Sequence, residues 1–322
     1  MNMASPQSPG TTLRHCKWCG KTERPSQKLK KCAACGYVLY CSKQCQRDGW
    51  LEHKEACRYM RESAERASPH YDVEVRPYGF TSAVAFSKAL SDWTEAHSLA
   101  LQLCSQAYVL QLGGVNFVKV PCKYMLVSRL VCRTKPEQRT TERNPATTFV
   151  IRSQALTEIE EWTRASPLNA QFWDGTAGER EQVAVRVKEQ YGNAYACLMP
   201  MLFNCDGVSM STSLNLPVLH IRKRFPLDSA SMDMLKDVIT LCIRSIDQGF
   251  PLRCPDGSPS PIPVPGHFSR RGGKWVWEPF FADWDDYSPT SVEYPALHQA
   301  IAALKTGMSP KHLLAAFLSL QF

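Results

Sequence analysis

Residues 16–57 read CKWCGKTERPSQKLKKCAACGYVLYCSKQCQRDGWLEHKEAC. Eight potential metal ligands fall in this run: Cys16, Cys19, Cys32, Cys35, Cys41, Cys45, His53 and Cys57. They are spaced as C-x2-C, twelve residues, C-x2-C, five residues, C-x3-C, seven residues and H-x3-C. Two thiolates so close in sequence can grip one tetrahedral zinc, because a tight turn brings both sulfurs to the same point. Four such pairs supply two closed sites of four protein ligands each, with no position left open for water or substrate. A disulfide framework is the competing reading of dense cysteines, but pairs that end in His and Cys are the mark of zinc. A redox C-x2-C motif would need a strand–turn–helix context, and neither Cys16 nor Cys32 has one in the sequence.

The second half of the run, Tyr40-Cys41-Ser42-Lys43-Gln44-Cys45-Gln46 followed by Trp50, His53-Lys54 and Cys57, resembles the signature of a MYND-type zinc finger. The ligands of that family interleave. The resemblance therefore implies one zinc on Cys16, Cys19, Cys41 and Cys45, and a second on Cys32, Cys35, His53 and Cys57. It covers 42 of 322 residues. It also implies a protein-interaction module that takes short proline-rich peptides, often of P-x-L-x-P type. The positions matching the family's peptide groove are Gln46, which would bond peptide carbonyls, and Trp50, which would wall a proline or leucine. Trp50 has a second reading, as a packing residue between the zincs and the helix. Gly49 departs from the small or acidic residue more usual before that tryptophan.

The chain's net charge of +8 is unevenly spread. Residues 14–66 hold 13 Lys and Arg against 6 Asp and Glu, while residues 67–322 hold 25 against 24. The basic edge of Lys28, Lys30, Lys31 and Arg47 could attract nucleic acid. It could equally be the lysine-rich surface of a small soluble module. No apolar run reaches the roughly 18 residues a membrane span needs, so no membrane partner is expected. Residues 1–13 carry neither charge nor apolar core and read as a disordered tail, not a targeting segment. Seven further cysteines with no framework spacing, together with zinc thiolates, suit a reducing, intracellular setting.

Outside this run the pattern predicts an α+β protein. The expected division is a tail at 1–13, the finger at 14–66, a linker at 67–78 and one α+β domain at 79–322. Ser42 is placed to cap a short helix holding Cys45. A second helix is expected from Trp50, putting His53 and Cys57 on one face and ending at Ser68-Pro69. Residues 81–110 carry Phe86, Leu90, Trp93, His97, Ala100, Cys104 and Ala107 at helical spacing. His97 on that stripe reads as a core histidine bonded to a neighbour. Residues 123–133 and 147–152 read as strands of a hairpin, 166–181 as loop, and 183–188 and 194–202 as strands. A strand over 208–221 is demoted to an edge by Pro217. Residues 232–246 read as a helix, 251–265 as loop, 274–277 as a strand, and 294–320 as two helices. The order of parts resembles proteins of basidiomycete-type fungi in which a MYND finger precedes an uncharacterised domain with a W-x3-H element, here Trp93 to His97.

An enzyme is not expected; the alternative is an enzyme in the C-terminal domain with the finger as its docking arm. SET-domain methyltransferases that carry such a finger need part of their fold before it, and 15 residues precede Cys16. The nearest trace of their cofactor element is Asn204-Cys205. No G-x-S-x-G, P-loop or G-x-G-x-x-G occurs. Asp283, Asp285 and Asp286 lack the glycine and glutamate spacing of a calcium loop and read as a solvated run.

Overall fold

The computed structural model describes residues 16–19, 21, 28–36, 38–133, 143–221, 225–255 and 262–321. The tail expected over residues 1–13 lies outside them. The first elements are two short antiparallel strands, β1 (Lys30–Lys31) and β2 (Leu39–Tyr40), then α1 (Lys43–Asp48) and α2 (Trp50–Val75). Ser42 caps α1 as expected, its Oγ accepting the Cys45 N–H at 3.0 Å.

The helix α2 does not end at Ser68-Pro69 but runs on to Val75. The stretch expected as a linker is therefore mostly helix. Proline costs a helix one hydrogen bond and some strain, and tertiary contacts beyond it offset that cost. Val75 is fully buried in the main core. Glu74 accepts both the N–H and the hydroxyl of Ser209, at 2.7 and 2.8 Å. Asp72 caps the next helix by accepting the Ala83 N–H at 2.6 Å.

The predicted helix over 81–110 is two helices, α3 (Ala83–Ala96) and α4 (Ser98–Gln111), broken at His97. The break lets the His97 side chain reach Ala146 O, 2.9 Å from Nε2. A single turn, α5 (Val115–Val118), leads to β3 (Tyr124–Cys132) and β4 (Phe149–Glu158), paired antiparallel. Then come α6 (Ile159–Arg164), where the sequence allows a short helix or a strand end through Trp162, and α7 (Pro167–Gly175) and α8 (Ala177–Tyr191), where it reads as loop over 166–181 and strand over 183–188. Ser166 caps α7 with Pro167 in its first turn, a helix start overlooked in the sequence. Val183, Val185 and Val187 alternate like a strand but lie on α8. That helix packs against both α2 and the sheet, and tertiary contact overrides a short period-two signal.

β5 (Tyr195–Cys205) pairs parallel to β3, and β6 (Ser211–Leu219) pairs antiparallel to β5. The sheet order is β4-β3-β5-β6, so Pro217 sits on an edge strand as predicted. α9 (Ser229–Gln248) follows, capped by Asp228 and closed by Gly249 at φ +74°. β7 (Leu252–Arg253), β8 (Val264–Arg271) and β9 (Lys274–Pro279) form a second small sheet, placing strand at both ends of the expected loop over 251–265. α10 (Pro295–Ala302) and α11 (Pro310–Gln321) end the chain as two pieces, as expected.

The chain is α+β. α4 and α9 pack on each other over one face of the four-stranded sheet. Leu126, Leu130, Met199, Met201 and Phe203 point into that core, with Trp93, Leu235 and Val238 opposite them. Strand alternation sends Met125 and Leu202 to the other face, where both are buried. α6 and α8 pack on that side of the sheet. Among the described residues, none in α6–α8 is fully buried, so this layer is thin. It stands between the sheet and α2.

Candidate metal centres

Each ligand pair is preset by its own turn. The N–H of Gly36 donates to Cys32 O at 2.8 Å, closing the turn around Cys32 and Cys35. Gly36, at φ +72°, turns the chain where an L side chain would be strained. The N–H of Cys32 donates to Val38 O and that of Lys17 to Leu39 O, tying both early turns to β2. The cap on α1 fixes Cys41 relative to Cys45. One turn of α2 places His53 and Cys57 side by side.

Two tetrads result. The donor atoms of Cys16, Cys19, Cys41 and Cys45 all lie within 4.8 Å of one another, as do those of Cys32, Cys35, His53 and Cys57. Cys19 and Cys41 sulfurs are 3.6 Å apart, and Cys41 and Cys45 sulfurs 3.4 Å. In the second tetrad Cys32 and Cys57 sulfurs are 3.9 Å apart, and Cys35 Sγ is 3.3 Å from His53 Nε2. A tetrahedral zinc with bonds of about 2.3 Å to sulfur separates two thiolates by roughly 3.8 Å, and a thiolate and an imidazole by slightly less. Donor type, number and spacing thus fit two Zn2+ ions. The sets cross, each combining an early pair with a late one, which is the interleaving the sequence resemblance implies.

Electrostatics point the same way. Burial works to raise Cys16, but N–H groups of Cys19, Cys41 and Trp18 aimed at its sulfur bring it down to about 7. Burial and the neighbouring thiols of Cys45 and Cys19 push Cys41 up to about 12. Burial, then the charges of Cys35 and Cys32, push Cys57 up to about 12. Thiols this close cannot all ionise unaided, and a dication is the natural counter-charge. Burial lowers His53 and keeps it neutral, the form that binds metal.

A sequence model described as the MYND finger matches residues 16–57. Residues 16–57 are a MYND-type zinc finger. This MYND finger is similar to a segment of a hypoxia-inducible factor prolyl hydroxylase of Caenorhabditis elegans, 41% identical over 61 residues, which is 19% of this chain and 8% of that protein. SET domain-containing protein 14 of the same organism is 34% identical over 62 residues, 19% of this chain and 14% of that protein. The MYND-type zinc finger protein samB of Aspergillus clavatus is 38% identical over 47 residues, 14% of this chain and 8% of that protein. The chain thus spans 8% to 14% of the length of these relatives. Similarity to the hydroxylase and the SET protein is confined to the finger and brings no catalytic domain with it. No solved structure matches the chain.

The other residues singled out in the sequence fall as follows. Gln46 is half-buried on α1. Trp50 opens α2 and is 42% exposed, its ring edge-on to His53 at 6.0 Å. Lys28, Lys30, Lys31 and Arg47 are all exposed, the middle two forming β1. His97 is a core histidine, which burial lowers to about 4. Trp93 packs edge-on to His97, Phe149 and Phe203 in the main core. Asn204 accepts the Ser211 hydroxyl at 2.7 Å across β5 and β6. Asp283 is ion-paired to Lys311 at 2.7 Å, and Asp285 takes the same ammonium at 2.5 Å.

Two features of the finger were not read from the sequence. α8 presents Glu179, Gln182 and Arg186 on one stripe against it. Lys17 Nζ lies 3.6 Å from Glu179, Gln182 Nε2 donates to Leu51 O at 2.6 Å, and Arg186 Nη1 meets Glu52 at 2.9 Å. Spacing of three and four along α8 is the available signal, masked because the sequence reads as loop over 166–181 and as strand over 183–188. The second feature is Trp18, which packs over Gly49 and is 37% exposed.

Proposed function

We propose that the chain is an adaptor or regulatory protein whose MYND finger binds a proline-rich segment of a partner protein. The eight residues Cys16, Cys19, Cys32, Cys35, Cys41, Cys45, His53 and Cys57 hold two zincs, and Gln46 with Trp50 contact the peptide. Closed four-ligand sites do not activate water, so the metal has a folding role and performs no reaction. The observation that carries this reading is Trp50. A large indole at the start of a helix is left 42% exposed while its ring is held in place by His53. A fixed, part-exposed aromatic is what an extended proline-rich peptide docks on, since such a peptide loses little entropy on binding. The finger spans residues 14–66, residues 79–322 form the larger domain, and both work inside the cell.

The test titrates the full-length, zinc-loaded chain with a P-x-L-x-P peptide at low and high salt, followed by NMR. Shifts at Gln46 and Trp50 that persist at high salt are expected. A finger silent to the peptide that binds nucleic acid, with affinity falling steeply as salt rises, would replace this reading by the basic-edge one.

A further inference from the structure

We propose that Trp18 is a second partner-contacting residue, forming with Trp50 a two-indole platform for an extended peptide that presents two prolines, one to each ring. This inference rests on the peptide-binding reading and adds to it a residue and a requirement on the partner.

The argument begins at Gly49. Its backbone, at φ −84° and ψ 2°, is one that any residue can adopt, so glycine is not needed there for conformation. It is needed for space. A Cβ on residue 49 would lie 3.1 Å from Cys45 O, 3.3 Å from Trp18 Cε3 and 3.4 Å from Tyr40 Cε1. The missing side chain lets the Trp18 indole settle on the junction of α1 and α2. Trp50 is the next residue in the chain.

Both rings are held. Trp18 lies in the turn between Cys16 and Cys19, its backbone N–H directed at the Cys16 sulfur and its ring seated against Gly49. Trp50 is braced by His53. Both are nevertheless left open, 37% and 42% exposed, although residues of this size are usually well covered. Rigid, part-exposed aromatics are the common anchors of protein interfaces, because little freedom remains to be lost on binding.

Surrounding charge selects the occupant. Lys17 is drawn to Glu179, Arg186 to Glu52, and Asp48 accepts the Gln44 amide at 2.6 Å. Arg47 and Lys54, three residues before and four after Trp50, are exposed. Lys17, Glu52 and Asp48 are thus engaged, and the two indoles offer part-exposed apolar faces. They suit prolyl rings of a polyproline-type strand, which advances about 3.1 Å per residue.

The experiment measures affinity of the full-length, zinc-loaded chain for a P-x-L-x-P peptide and for forms in which either proline is alanine. Zinc content is determined for every variant. Trp50→Ala and Trp18→Ala are each expected to weaken the intact peptide about tenfold or more. On the Trp18→Ala chain, one of the two alanine peptides should bind as well as the intact one, because that proline has lost its ring. Wild-type affinity in Trp18→Ala, with Trp50→Ala defective, overturns the platform and leaves the peptide-binding reading intact. Failure of the wild-type chain to bind any of the peptides overturns both. If Trp18→Ala loses zinc, Trp18→Phe and Trp18→Leu take its place. Binding retained by Phe and lost by Leu, both with zinc bound, supports the platform; equal binding by the two overturns it.

Discussion

The finger and the larger domain hold themselves together by different means. Among the described residues, the finger's buried apolar cluster is Cys16, Leu29, Cys32, Tyr40 and Cys57, and three of these five are ligands. The main core buries aromatic and aliphatic side chains of the larger domain, joined by Val75 from the end of α2. Too small to gain enough from apolar burial, the finger gains it from metal bonds. Its core is accordingly specified by a handful of atoms, and the other by shape. The difference predicts how each fails.

Cys35→Ser, or zinc chelation, should produce the largest effect. Losing a thiolate removes much of a binding energy that drives folding by roughly 10 kcal/mol or more. The finger's NMR shifts should collapse while β3, β5 and α9 keep slow amide exchange. α8, which has no fully buried residue and rests partly on the finger, should exchange faster. An α8 indifferent to chelation would show that its contacts with Lys17, Leu51 and Glu52 contribute nothing.

An intermediate effect belongs to His97, which tests the shape-specified core alone. Burial depresses it from 6.5 to about 4. The unfolded chain therefore binds the extra proton between these values. Stability is fully present above about pH 6.5 and is lost as pH falls towards 4, by about 3 kcal/mol in all. Urea unfolding across that window should show the slope, and His97→Gln should flatten it. An unchanged slope in the variant would place the acid sensitivity elsewhere.

The smallest effect is expected at the seam between the two regions. Arg186→Ala should cost about 0.2–1 kcal/mol, since its side chain is 38% exposed. Its readout is faster exchange along α8, with zinc content unchanged. A larger loss of global stability would mean the two regions unfold as one.

What the sequence reveals follows the same division. Ligand pairs three or four residues apart are local chemistry, so the eight ligands are legible in the sequence, whereas their crossing into two tetrads is implied there only by the resemblance to a MYND finger. Ser42, the strand pairing of β3 with β4, and the edge position of Pro217 were equally legible, each resting on a rule of short range. α8 was misread because Val183, Val185 and Val187 alternate, and only its contacts with α2 and the sheet make it a helix. Pro69 suggested a stop that Asp72, Glu74 and Val75 override from further along the chain. Trp18 could not be recognised without knowing that Gly49 lies beneath it.

One helix, α2, carries ligands of the second zinc site at its start and Val75 of the main core near its end. From Cys57 to Val75 is 18 residues, about 27 Å and five full turns at 3.6 residues per turn. The finger is thereby set in rotational phase with the domain. One residue inserted between them would turn the finger by about 100° and advance it 1.5 Å. Lys17, Leu51 and Glu52 would then face away from α8 with no ligand or core residue altered. Insertions of 18 residues would restore the phase at a greater distance. The spacing is in this sense a gear setting: it fixes the direction in which the finger meets whatever it binds.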